Sequence, residues 1–170
     1  PEQLMDKINE AAECIKRRFL EYHEQENFDL LLVHNIFSHG RHIAAAKAFA
    51  DISELTGLPI ISTNHDYYWE REEYQEPTCQ EVKDYLDKYV PYESSRVVYI
   101  SINSLASKRL EEKRGISSDV IGDVFDFGQP PWKKDDFNKD FLTSAGVKKN
   151  DLVVLQATRI SARKGIELAM

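Results

Sequence analysis

Short apolar runs and helix-period segments alternate along this chain, and that alternation leaves few folds open. Phe28 to Asn35 (FDLLLVHN) is an apolar run of the length and kind that a buried parallel strand gives. Leu58 to Asp66 (LPIISTNHD) and Ser95 to Asn103 (SRVVYISIN) are two more, each ending in polar residues. Before, between and after them lie segments whose apolar positions recur every three or four residues, the helical period: 4–22, 42–57, 79–90 and 104–115. Gly57 and Gly115 close two of these, with Pro59 just past the first, as helix ends require. Ser118 to Phe125 reads as a short last strand running into a loop. Strand and helix in this order, with connections this short, predict an α/β fold with a mostly parallel sheet and helices on both faces.

The rhythm breaks at 125–141, where paired prolines and mixed charge indicate a linker or crossing segment. Leu142 to Val147 reads as a helix end, and Asp151 opens a fresh strand–helix unit. In that unit Val153 to Leu155 predicts a strand, followed by a loop carrying Arg159, Arg163 and Lys164, then Gly165 and the start of a helix cut off at Met170. Cations on a loop beside free backbone N–H groups suit a phosphate or diphosphate, and a solvated basic turn is the plain alternative. Three regions follow: 1–128, a crossing segment 129–150, and 151–170. The interrupted helix, and a start at Pro1 directly before a helical pattern, lead us to expect a fragment of a larger protein.

The formal charge of −7 argues against a nucleic-acid backbone as the main partner, because phosphate recognition along a strand needs concentrated Lys and Arg. There is no apolar run long enough to span a bilayer and no signal-peptide pattern. Peripheral membrane contact stays open without positive support. Cys14 and Cys79 have no metal-ligand spacing and point to a reducing compartment, hence a cytoplasmic location with the inner membrane surface allowed.

In open α/β sheets ligands sit outside the carboxyl ends of the strands. Three predicted strands end there in polar residues: His34-Asn35, with Ser38 and His39 following; Ser62 to Asp66, with Tyr67, Tyr68 and Trp69 following; and Ser101 to Ser104. Such ends converge in space, and hydrogen-bonding groups mixed with aromatic faces suit a sugar. Each residue also has a plain role: Asn64 and Ser104 as helix caps, Asp66 as a loop fixer, the aromatic trio as core. The histidines His34, His39, His42 and His65 do not match compact zinc spacing, so no metal is expected. No GxSxG elbow and no dinucleotide fingerprint occur.

Taken together, these segments resemble the retaining glycosyltransferases of family 4, whose GT-B architecture joins two Rossmann-like domains. The tail VVLQATRISARKG is similar to the opening of that family's C-terminal domain, where a strand leads to an Arg and, five residues on, a Lys-Gly. The resemblance implies that Arg159, Lys164 and Gly165 meet the diphosphate of a nucleotide-sugar donor. FDLLLVHNIFS and STNHDYYWER look like two strands of the N-terminal domain. By the same resemblance His65 lies by the donor sugar, His34 and Asn35 stand beside it, and Asp66 shapes the loop. DVIGDVFDF is similar to a segment that usually reads Pro-Asn-Gly-Val-Asp or Pro-Asn-Val-x-Asp-Phe, with Gly122-Asp123 standing where Pro-Asn is expected. The nucleotide-base pocket and the E-x7-E region of the family fall outside the 170 residues.

The implied reaction moves a hexose from a nucleotide diphosphate sugar to an acceptor hydroxyl with retention at the anomeric carbon. His65, Arg159 and Lys164 carry it, and the donor is a substrate, with no cofactor expected. The acceptor is a saccharide, a lipid-linked saccharide or a small polyol acid, with Tyr67 to Trp69 as its candidate contact. Oligomeric state is left open, and the 170 residues alone are expected to be inactive. Two rivals stand beside this reading: a GT-B sugar-nucleotide epimerase, and a non-catalytic binding module on an inherited transferase fold.

Overall fold

A computed structural model describes residues 1–169, with Arg163 described by its backbone only. The Arg163 side chain, one of the loop cations named above, and Met170 lie outside the described part. The chain separates into two compact units, Pro1–Val124 and a second that begins at Phe125.

The first unit is built on a four-stranded, wholly parallel sheet in the order β1-β2-β3-β4. The strands are β1 (Leu31–His34), β2 (Ile60–Asn64), β3 (Val97–Ser101) and the two-residue β4 (Asp119–Val120). Leu31 pairs in register with Ile60 and Ile60 with Val97, so the strands end nearly level at their carboxyl ends. Helices α1 (Glu2–Glu26), α2 (Ile43–Thr56), α4 (Gln80–Tyr89) and α5 (Ser104–Arg114) follow the predicted order. A short 3-10 turn (Tyr68–Glu70) and α3 (Glu72–Gln75) fill the acidic stretch after β2, where the sequence predicts no element.

Alternation in each strand decides what is buried. Leu31, Val33, Ile60 and Tyr99 point into one core with Ala46, Ala50 and Ile52 of α2 and Leu110 of α5. The small side chains of α2 let its backbone lie close to its neighbours, and α1 packs along α2 through Phe19 against Phe49. The opposite face is less covered. Leu32 and Val98, expected beneath a second helical layer, are 75% and 51% exposed. Gly57 and Gly115 end α2 and α5 in the left-handed conformation, as the sequence predicts.

The second unit holds α6 (Phe141–Ser144), a 3-10 turn (Ala162–Lys164) and α7 (Ile166–Ala169). Among its described residues there is no strand, and the strand predicted over Val153 to Leu155 does not form. A strand exists only through a partner's backbone groups, and no second extended segment of this unit pairs with 151–155. Val154 and Leu155 stay 87% and 76% exposed accordingly. No helix of the described residues is long and apolar enough to cross a membrane.

Candidate functional site

At the carboxyl edge of the sheet, two loops are laced together by side chains. The first follows β1. Asn35 adopts a left-handed backbone (φ 57), which turns the chain out of the sheet after its N–H has bonded the Thr63 carbonyl at 2.9 Å. Asn is one of the few residues that tolerates this conformation. Its side chain then reaches across to the loop after β2. Asn35 Oδ1 accepts from the His65 backbone N–H at 2.8 Å, and Asn35 Nδ2 lies 3.2 Å from His65 Nδ1.

His65 is thereby held at the edge, with the exposed His34 ring edge-on at a centroid distance of 4.6 Å. Its other ring nitrogen, Nε2, is 3.0 Å from Oδ1 of Asp123, which arrives from the segment after β4. Four predicted or newly seen polar groups therefore meet here: His34, Asn35, His65 and Asp123.

Asp66 does something different. One carboxylate oxygen pairs with His39 Nε2, and the other takes the Arg71 guanidinium, whose Nε donates at 2.6 Å. All three side chains are about three-quarters withdrawn from solvent or more, so the carboxylate is committed to fixing the two loops against each other. Farther out, Arg41 Nε donates to the Tyr74 hydroxyl at 3.0 Å, and the Tyr68 N–H donates to the Ser38 carbonyl at 2.7 Å. Asp66 thus ties the loop after β1 to the loop after β2.

The aromatic trio divides. Tyr67 is fully buried and stacks on Trp69 with centroids 4.7 Å apart, so it belongs to the core. Burial pushes its phenol up from the ordinary tyrosine value. Tyr68 and Trp69 are half-buried and line a cleft of about 420 Å³ with Asp87, Lys113 and Arg114. The third strand end adds little. Asn103, not Ser104, is the helix cap, accepting from the Ala106 N–H at 2.8 Å. Asn64 caps nothing: it is buried and bonds Ser62 within β2.

Arg159 and Lys164 are exposed in the second unit, and Gly165 turns left-handed at φ 58 just before α7. Gln156 Nε2 donates to the Lys164 carbonyl at 3.0 Å, closing the loop that carries both cations. Among the described residues, no three His, Cys, Asp or Glu side chains converge as a metal shell.

His39 is expected only as a polar residue following the first strand end, and Asp123 and Arg71 are not expected as site residues. The only signal for Asp123 was the Gly122-Asp123 departure, and Arg71 was masked by the acidic run around it.

The chain is similar to mannosylglucosylglycerate synthase of Petrotoga mobilis, 38% identical over 161 residues, which is 95% of this chain and 37% of that protein. It is also similar to mannosylglucosylglycerate synthase of Thermotoga maritima, 29% identical over 145 residues, 85% of this chain and 33% of that protein. The chain thus spans about a third of the length of the curated relatives it matches. No family model matches it, and no solved structure does either.

Proposed function

We propose that this protein is a retaining glycosyltransferase that moves a hexose from a nucleotide diphosphate sugar to the hydroxyl of a small sugar acid. The observation that carries this reading is the 38% identity to a mannosylglucosylglycerate synthase across 95% of the chain. That name describes a product in which mannose, glucose and glycerate are joined. A mannosyl donor and a glucosylglycerate acceptor would join in that way, and such an acceptor falls in the polyol-acid class.

In this reading the bond between the anomeric carbon and the diphosphate oxygen breaks, and a bond to the acceptor oxygen forms on the same face. The acceptor proton leaves with the departing phosphate. Arg159 and Lys164 offset the charge that grows on the diphosphate, a contribution that is largest in the transition state. His65, with His34 and Asn35 beside it, orients the sugar. Asp66 holds the loop that carries His65. The family-4 GT-B architecture and the cytoplasmic setting belong to the same proposal.

The test is nucleotide release by the full-length protein supplied with UDP-, GDP- and ADP-sugars and an acceptor mixture that includes glucosylglycerate. Lys164→Ala is expected to lower turnover by roughly a hundredfold or more. A folded protein that neither releases nucleotide nor binds any donor would sink the transferase reading. Conversion of a donor into its epimer, with no glycoside formed and no net nucleotide released, would favour an epimerase.

A further inference from the structure

We propose that Asp123 and His65 form a donor–acceptor pair for a single hydroxyl of a hexose, with Asp123 holding the His65 ring in place until the sugar arrives. The sugar in this statement rests on the transferase reading; the pairing itself rests on hydrogen-bond geometry alone.

The geometry fixes where the His65 proton sits. A backbone N–H can only donate, so the atom of Asn35 that meets the His65 N–H at 2.8 Å must be the oxygen. That pins the amide orientation and leaves Asn35 Nδ2, a donor, against His65 Nδ1 at 3.2 Å. Nδ1 must therefore accept, and the single proton of the neutral ring is on Nε2. Nε2 in turn faces Asp123 Oδ1 at 3.0 Å, an acceptor. Every step has one donor and one acceptor, and reversing the tautomer would set two donors face to face.

The surroundings leave this pair free for a ligand. Around His65 stand the His34 ring from β1, the neutral Asn35 amide, and Asp66, whose two oxygens are already taken by His39 and Arg71. Asp123 is different, because its side chain is 75% exposed while His65 is 31% exposed. A pyranose hydroxyl is both donor and acceptor. Its oxygen can accept a hydrogen bond from Nε2–H while its own O–H donates to the Asp123 carboxylate, so one hydroxyl satisfies both groups. A carboxylate acceptor makes that bond charge-assisted and selective against a sugar lacking the hydroxyl.

Two measurements test this. In protein labelled with ¹⁵N-histidine, long-range ¹⁵N–¹H spectra report the ring tautomer, with the His65 signal assigned by its disappearance in His65→Gln. The Nε2–H form is expected, with its proton protected from exchange in the wild type and unprotected in Asp123→Ala. An Nδ1–H form, or equal protection in both proteins, would overturn the pairing. For the sugar, transfer from singly deoxygenated donors and acceptors is compared between the wild type and Asp123→Ala. The wild type should reject one deoxy sugar by about tenfold or more, and the variant should lose that rejection for the same hydroxyl only. An unchanged selectivity profile overturns the hydroxyl assignment. A wild type that transfers no hexose overturns that assignment together with the transferase reading, while the tautomer still decides the pairing.

Discussion

Gly40 shows how tightly one residue can be held at the site. It lies between His39 and Arg41 with φ +65, and a Cβ placed there would meet Leu86 Cδ2 at 3.0 Å and Tyr68 Cβ at 3.1 Å. An alanine would thus face left-handed strain, and Leu86 and Tyr68 would also have to give by a few tenths of an ångström. Gly40→Ala is expected to destabilise the fold by about 2 kcal/mol and to loosen the loop that presents His39. Gly57 is the control. It has φ +76 with open space around its Cβ, so Gly57→Ala should cost only about 1 kcal/mol. Urea denaturation of both variants checks the difference, and equal losses would mean that the contacts with Leu86 and Tyr68 carry nothing.

Elements were easier to read than the ties between them. β1, β2, β3, α2 and α5 lie where apolar periodicity and glycine C-caps put them, because those signals are local. At the start of α5 the expected cap is Ser104, and residue type alone does not separate it from the Asn103 just before it. The structure selects Asn103, so Asn103→Ala should cost about 1 kcal/mol and Ser104→Ala close to nothing, as thermal melts would show. Asp123 and His65 are 58 residues apart and meet only because β4 pairs beside β3 in one register. Nothing local encodes that. Val153 to Leu155 fails for the converse reason: its pattern is right for a strand, but strand formation needs a partner that this unit's described residues do not supply. Tyr67 and Trp69 look alike in sequence, yet only stacking and burial separate the core ring from the one that lines a cleft.

For the first unit as a whole, phenols wholly or partly withdrawn from water set an alkaline limit on stability. Tyr92 is half-buried and donates to Glu54 Oε1 at 2.6 Å, and partial burial followed by that carboxylate pushes its phenol from 10.0 up to about 12. Tyr99, buried and donating to the Tyr92 carbonyl at 2.6 Å, is pushed up as well, chiefly by burial, and so is Tyr85. The folded state therefore keeps protons that the unfolded chain releases near pH 10.0. Stability from these groups is whole below that pH and falls as pH rises toward about 12, since there the native state binds more protons than the unfolded one. The formal charge of −7 makes each added tyrosinate more costly, so salt should soften the fall. In Tyr22→Phe, which lacks the exposed phenol, circular dichroism and the main tyrosinate absorbance followed together across this range should change in one step, because the remaining phenols ionise as the core opens. Tyr92→Phe should make the loss shallower by removing one of the linked protons. Tyrosinate forming near pH 10.0 with the dichroism unchanged would show that these hydroxyls reach water in the folded state, and that the Tyr92–Glu54 and Tyr99–Tyr92 bonds do not restrain them.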